Sequence, residues 1–271
     1  MLKTRDVEIL LAWDRIARHF RSVARHYRRS AGSFKDAAFR KVYGQIIKES
    51  IRSHLSQNLL VLKTDLWNEG IEVDRNMASF VSELVHNARV IGMDVSRAVC
   101  EFARDEGNCS IEIVRATLLA SPFRQKFDFV IDISTVDHVP AHLRETWIAA
   151  ESSLLRKGGI LLISFDSRCN LFVELYHMLF TRRFYPEWPL APSAVRLQLR
   201  RHGFHVIREH AVFLAGLFLG THRPWFPLAR FLRREKVFAF LKRIELSNRS
   251  PLLSFLAPQY AMIAVKIDGR A

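Results

Sequence analysis

Apolar positions change their spacing twice along this chain. Over residues 6–29, Leu10, Trp13, Ile16 or Ala17, Phe20, Val23 or Ala24, and Tyr27 recur every three to four positions, with arginines on the opposite side. That spacing predicts an amphipathic helix. The Ser30–Ser33 stretch breaks it, and Ser33 is a fitting cap for a second helix running to about Ser53. We expect residues 1–57 to form a helical cap in front of the main domain.

From residue 58 short apolar runs alternate with amphipathic stretches. The runs at 58–64, 88–94, 110–115, 128–134 and 160–165 read as strands. The stretches at 75–85, 96–105 and 142–155 read as helices, and Lys157–Gly159 as the turn before the fifth strand. Residues 193–202 predict a further helix stopped by Gly203, 204–207 a strand start, and 259–267 the closing strand. Alternation of this kind gives a parallel sheet covered by helices on both faces. Strands apolar throughout belong in its interior. The expected fold is α/β: a Rossmann-like, doubly wound, mostly parallel seven-stranded sheet over residues 58–271. A helical insertion, about 211–256, precedes the last strand.

Composition changes little: 49% hydrophobic and 25% charged residues suit a globular protein. Charge adds more. The net +14 is carried by the flanks, with 13 Lys/Arg against 5 Asp/Glu in residues 1–57 and 12 against 3 in residues 196–249. Cys100, Cys109 and Cys169 have neither metal-ligand nor disulfide-framework spacing, so no metal is expected. Charges interrupt the first fifteen residues, and the longest uncharged run, 250–265, contains Pro251 and Pro258. We therefore expect a cytoplasmic protein with no export signal and no membrane span.

In a doubly wound sheet the ligand lies outside the carboxyl ends of the strands, where strand order reverses. Asp94 ends the second strand, where an acid can accept both ribose hydroxyls of an adenosine cofactor; its other reading is a cap for the helix beginning near Ser96. The fourth strand runs through Asp132 into Asp137-His138-Val139-Pro140, and Asp166 follows the fifth.

Three segments, VIGMDVS, DFVIDIS with the following VDHV, and LLRKGGILLIS, resemble in order and spacing the class I S-adenosylmethionine-dependent methyltransferases. The likeness is to their small-molecule, type 11/12-like branch, and it spans residues 58–207. Residues 204–207 and 259–267 correspond to that family's antiparallel sixth and seventh strands. The resemblance implies S-adenosylmethionine as cofactor and methyl transfer to a small organic or lipid-like acceptor. It places Asp94 on the ribose and Asp132 in the fourth-strand motif. Asp65, Glu69 and Gly70 fall at the cofactor's amino-acid end, and Thr117 near the adenine. His138 is the candidate general base, or else the residue that orients its loop.

The first loop departs from the family pattern: Lys63-Thr-Asp65-Leu-Trp-Asn68-Glu69-Gly70 holds a single glycine where several are usual. That departure supports the alternative of a non-catalytic binding protein on the same fold. A nicotinamide enzyme requires G-x-G-x-x-G after the first strand, which is absent. In the insertion, residues 222–243 place Leu228, Phe231, Leu232, Phe238 and Leu241 against Arg230, Arg233, Arg234, Lys236, Lys242 and Arg243. Such a face fits a substrate lid or peripheral contact with anionic membrane. Nucleic acid ranks last, because no RNA-binding motif is present and residues 58–195 are mildly acidic.

Overall fold

The computed structural model describes residues 12–21, 32–52, 58–71, 76–85, 87–105, 111–170, 188–212 and 257–267. Its centre is a seven-stranded sheet in the order β3-β2-β1-β4-β5-β7-β6. The strands are β1 (Leu60–Lys63), β2 (Arg89–Asp94), β3 (Ile111–Arg115), β4 (Phe127–Ile133), β5 (Leu155–Asp166), β6 (Phe204–Val212) and β7 (Gln259–Lys266). β1 to β5 pair in parallel, and β7 runs against both β5 and β6. β6 therefore points the same way as β5, and β7 alone is reversed. The expected doubly wound α/β sheet is present.

Alternate residues of the inner strands feed opposite faces. Val61, Phe129, Ile131 and Leu162 join one apolar cluster, while their neighbours Leu62, Val130, Leu161 and Ile163 join another. A strand buried on both sides has no polar face, which is why these segments read as unbroken apolar runs. On the first face lie α2 (Gly32–Ser50), through Val42, Tyr43, Ile46 and Ile47, and α4 (Met77–Leu84), through Met77, Ala78 and Val81. On the second lie α6 (Arg144–Leu154), through Trp147 and Ile148, and α7 (Pro192–Arg201), through Val195 and Leu199. A third cluster joins α3 (Trp67–Gly70) to α5 (Arg97–Asp105) through Leu66, Ile71, Ala98 and Val99.

The two N-terminal helices occupy different places. Residues 12–21 form α1, whose Ala17 is buried in the α3–α5 cluster. α2 instead lies on the sheet face, and its Tyr43 hydroxyl hydrogen-bonds with Ser164 Oγ on β5 at 2.9 Å. The fifth strand begins five residues earlier than its sequence pattern suggests. Leu155 already pairs with Phe127, so Lys157–Gly159 falls within an irregularity of the strand rather than before it. The remainder of the helix expected over 6–29, the insertion beyond Val212 and the basic segment 222–243 lie outside the described residues. No helix among the described residues is long and apolar enough to cross a membrane.

Candidate functional site

The order β2-β1-β4 puts the strand reversal at β1, so the candidate site gathers the residues just beyond β1, β2 and β4. Chain geometry brings α1 to the same edge. Trp13 meets the His138 ring edge-on at 4.7 Å between centroids and Trp67 at 6.0 Å, and Phe20 packs on Trp67 at 5.6 Å. Asp14 Oδ1 accepts from the Ala98 backbone N–H at 3.1 Å and from Ser96 Oγ at 2.5 Å, at the first turn of α5. Neither Trp13 nor Asp14 was singled out as a site residue from the sequence.

Asp94 stands at the end of β2, partly exposed. Its Oδ2 accepts from Leu66 N at 3.0 Å and its Oδ1 from Ser96 N at 2.7 Å. The cap reading at α5 is therefore realised, but each carboxylate oxygen has a second acceptor position beyond the one used. Burial, aided by the nearby Asp65 carboxylate, pushes the Asp94 carboxyl up to about 7 against the lowering by its two backbone donors and Lys63. No ion pair is made by Asp94 among the described residues.

The loop after β1 is arranged differently. Lys63, the last residue of β1, is 0% exposed. Its Nζ donates to Asp65 Oδ2 at 2.5 Å and to the Asp65 carbonyl at 2.9 Å, and lies 4.0 Å from Glu69 Oε2. Asp65 also accepts from Thr135 Oγ1 at 3.0 Å and Trp67 N at 3.1 Å. Glu69 Oε1 accepts from Met77 N and Ala78 N, each at 3.2 Å, tying the loop to α4. Burial works against the Lys63 charge, but Asp65 and Glu69 together hold the ammonium above the ordinary lysine range. For Glu69 burial prevails and raises it, because its lysine partner is 4.0 Å away. Lys63–Asp65 is thus the charged pair, with Glu69 the weaker member.

Two glycines let this loop settle inward. A Cβ on Gly92 would stand 2.3 Å from Leu66 Cδ2, so the bare backbone of β2 makes room for the loop's leucine. A Cβ on Gly70 would meet Val99 O at 2.9 Å and Ala103 N at 3.0 Å. Gly70 therefore permits the close approach of α3 to α5.

Asp132 is set deeper. It is fully buried, and its oxygens accept from Thr135 N (3.1 Å), Val136 N (3.3 Å) and Trp147 Nε1 (2.9 Å). Burial raises it, and burial followed by the Asp132 carboxylate pushes the neighbouring Glu151 well above the ordinary carboxyl range. Asp132 thus shapes the β4 loop from below, with no surface left for a ligand. Thr117 caps a short turn by accepting from Leu119 N at 3.4 Å and stays partly exposed beyond β3. His138 ends a one-turn helix, Val136–His138, and is partly exposed beside Trp13.

Beyond β4 and β5 lies a polar group of which sequence reading singled out Asp166 alone. Ser134 holds a left-handed backbone (φ 54°), an uncommon state for a residue with a side chain. Gln259 Nε2 donates to Ser134 Oγ at 3.2 Å and to Asp166 Oδ1 at 3.0 Å, while Tyr43 Oη donates to Gln259 Oε1 at 3.1 Å. Strain at a strand end is a frequent mark of function. Its only sequence signal is the polar run Asp-Ile-Ser-Thr after an apolar strand. Asp137 sits below, its Oδ2 accepting from Asp166 N at 2.8 Å; burial and then the Asp166 charge push it well above the ordinary carboxyl range.

Comparison with known proteins bears on this geometry. A family model described as a methyltransferase domain matches residues 75–159, beginning after the Lys63–Gly70 loop. No curated protein matches the chain in sequence. Among solved structures, the cyclopropane synthase MmaA2 from Mycobacterium tuberculosis has a TM-score of 0.55 at 13% identity, covering 89% of this chain and 88% of that one. A SAM-dependent methyltransferase from Archaeoglobus fulgidus scores 0.50 at 15% identity, covering 82% and 94%. The 1,6-didemethyltoxoflavin-N1-methyltransferase of Burkholderia thailandensis, solved with 1,6-didemethyltoxoflavin and S-adenosylhomocysteine, scores 0.52 at 15% identity, covering 99% and 92%. At these identities the solved structures establish fold. The family model over residues 75–159 and the solved structures agree on a Rossmann-like fold of the kind found in S-adenosylmethionine-dependent methyltransferases.

Proposed function

We propose that this protein is an S-adenosylmethionine-dependent methyltransferase that holds its cofactor mainly by the nucleoside end and acts on a small organic or lipid-like acceptor. The observation that carries the reading is Asp94: a strand-end carboxyl at the reversal point, with an acceptor position free on each oxygen and no ion pair among the described residues. Two ribose hydroxyls require that arrangement. The fit is good there and poor at the β1 loop, where the acids expected to face the cofactor's amino-acid end already hold Lys63.

When bound, the cofactor supplies an activated methyl group, so the protein's task is alignment more than activation. Asp94 orients the nucleoside. Thr117, partly exposed beyond β3, lies on the adenine side. Trp13 and Trp67 wall the edge against water, and His138 presents an imidazole from the β4 loop to the acceptor. An imidazole so placed can take the proton that an oxygen or nitrogen acceptor sheds. The small-molecule or lipid-like acceptor class is supported by neighbours named for cyclopropane synthesis and for methylation of 1,6-didemethyltoxoflavin. Contact with anionic membrane through residues 222–243 belongs to the same proposal.

A second reading, a non-catalytic binding protein on this fold, is favoured by one observation, the Lys63–Asp65 pair that fills the loop. Calorimetric titration with S-adenosylmethionine and S-adenosylhomocysteine, followed by Asp94→Ala, tests the first reading. Binding abolished or weakened by the substitution supports it. No binding at millimolar ligand, or binding indifferent to the substitution, overturns it.

A further inference from the structure

Lys63 is a fully buried charged residue that the proposed function does not use. Strand interiors seldom carry lysine, and a fully buried one persists only with partners. Here the partners are the same acids that were expected to receive a ligand's ammonium group. The Lys63 ammonium has three donors; two go to Asp65, through its carboxylate and its carbonyl, and Glu69 Oε2 lies 4.0 Å away. Asp65 and Glu69 fill further acceptor positions with Thr135 Oγ1, Trp67 N, Met77 N and Ala78 N. Lys63 and Glu69 have no exposed side-chain surface, and Asp65 keeps 15%. A second cation brought to this loop meets a like charge, and Glu69 Oε2, which accepts no hydrogen bond among the described residues, is buried with Lys63 Nζ already 4.0 Å away.

We propose that Lys63 is a built-in counter-cation that replaces the ligand ammonium at the β1 loop, making it the residue that sets which adenosine-type ligands this site accepts. The ligands favoured are those recognised by nucleoside and 5′-thioether; an amino-acid tail with a charged ammonium adds no affinity. The inference rests on the nucleoside site at Asp94 proposed above and deepens it.

The test uses two probes that differ only at that tail: S-adenosylhomocysteine and 5′-deoxy-5′-methylthioadenosine. In calorimetric titrations of the full chain, the two dissociation constants are expected to agree within about threefold, since no charge-assisted bond separates them. In Lys63→Met, which frees Asp65 and Glu69, S-adenosylhomocysteine is expected to become tighter by roughly tenfold or more while methylthioadenosine stays unchanged. Wild-type preference for S-adenosylhomocysteine by tenfold, or a ratio unmoved by Lys63→Met, overturns the proposal. Should neither probe bind the wild type, the nucleoside reading at Asp94 fails. The Lys63 proposal is then still decided by whether Lys63→Met acquires S-adenosylhomocysteine binding or does not. If Lys63→Met does not fold, the charge-balanced Lys63→Met/Glu69→Gln variant keeps Asp65 as acceptor and is read by the same ratio.

Discussion

Adjacent strands β1 and β2 bring acidic residues to the same edge of the sheet, and the two ends solve the problem of buried charge in opposite ways. At β1 a cation is built in: Lys63 lies 2.5 Å from Asp65 and 4.0 Å from Glu69, and neither Lys63 nor Glu69 has exposed side-chain surface. At β2 Asp94 accepts from two backbone N–H groups and makes no ion pair among the described residues, and burial raises its carboxyl to about 7. The difference teaches which end is complete. A carboxylate neutralised by an internal ammonium has little to gain from a ligand. One held by dipoles alone still has acceptor positions and an unsatisfied charge to offer.

The largest test removes the cation. Lys63→Met leaves buried acids without their partner and should cost about 3–5 kcal/mol of stability, the range for breaking one side of a buried pair. The measurement is the urea midpoint at an unchanged slope, and Lys63→Met/Glu69→Gln should recover part of the loss. A cost below about 1 kcal/mol would mean the β1 cluster behaves as a surface pair, and the contrast with β2 would collapse.

Next is the open end. Asp94→Ala should weaken adenosine-type ligands by about 1.5–3 kcal/mol, as for bonds to a charged acceptor. In the same titration Glu69→Gln should change affinity little, because Glu69 faces Lys63 and α4 instead of the ligand. Equal losses in both variants would merge the two ends into one binding surface.

A smaller effect separates them by pH. The Asp94 pKa is raised from 3.8 to about 7 in the folded chain, so between those values the folded state holds a proton that the unfolded state releases. Its contribution to stability is fully present below about pH 4 and is lost as pH rises to about 7, with a slope of at most about 1.4 kcal/mol per pH unit. The difference between wild type and Asp94→Asn, followed by denaturation from pH 4 to 8, isolates this group from the other raised carboxyls. Ligand affinity runs the other way, strengthening up to about pH 7 as the ionised acceptor forms. A flat difference curve would place Asp94 in ordinary solvent.

His138→Ala is the mildest change expected at the level of binding. It should leave ligand affinity nearly unaltered while lowering turnover and removing a limb of the pH–rate profile. Lost affinity with an unchanged profile would make His138 a support for Trp13 and the loop, joined to the site through their ring contact.

Much of the fold was legible in the sequence because burial on both faces of a parallel sheet imposes a visible pattern. Runs such as Phe129–Ile131 and Leu161–Ile163 are apolar at every position, and the helices between them carry one apolar stripe. The spacing of these runs, with Asp94 and Asp132 at strand ends, predicted the layer order and the edge where chemistry gathers. Lys63 left a faint trace: a lysine closing an apolar strand with acids two and six residues later. Position alone did not decide which oxygens remain open. Asp132 and Asp94 are both strand-end aspartates, yet Trp147 from α6 and the Thr135–Val136 backbone take up one, while the other keeps acceptor positions. The placement of α2 on the sheet and of Trp13 over His138 depended likewise on contacts between residues far apart in sequence. Periodicity is a local property that the chain carries along its length. Saturation of a polar group belongs to whatever the fold brings next to it, and only the tertiary structure settles that.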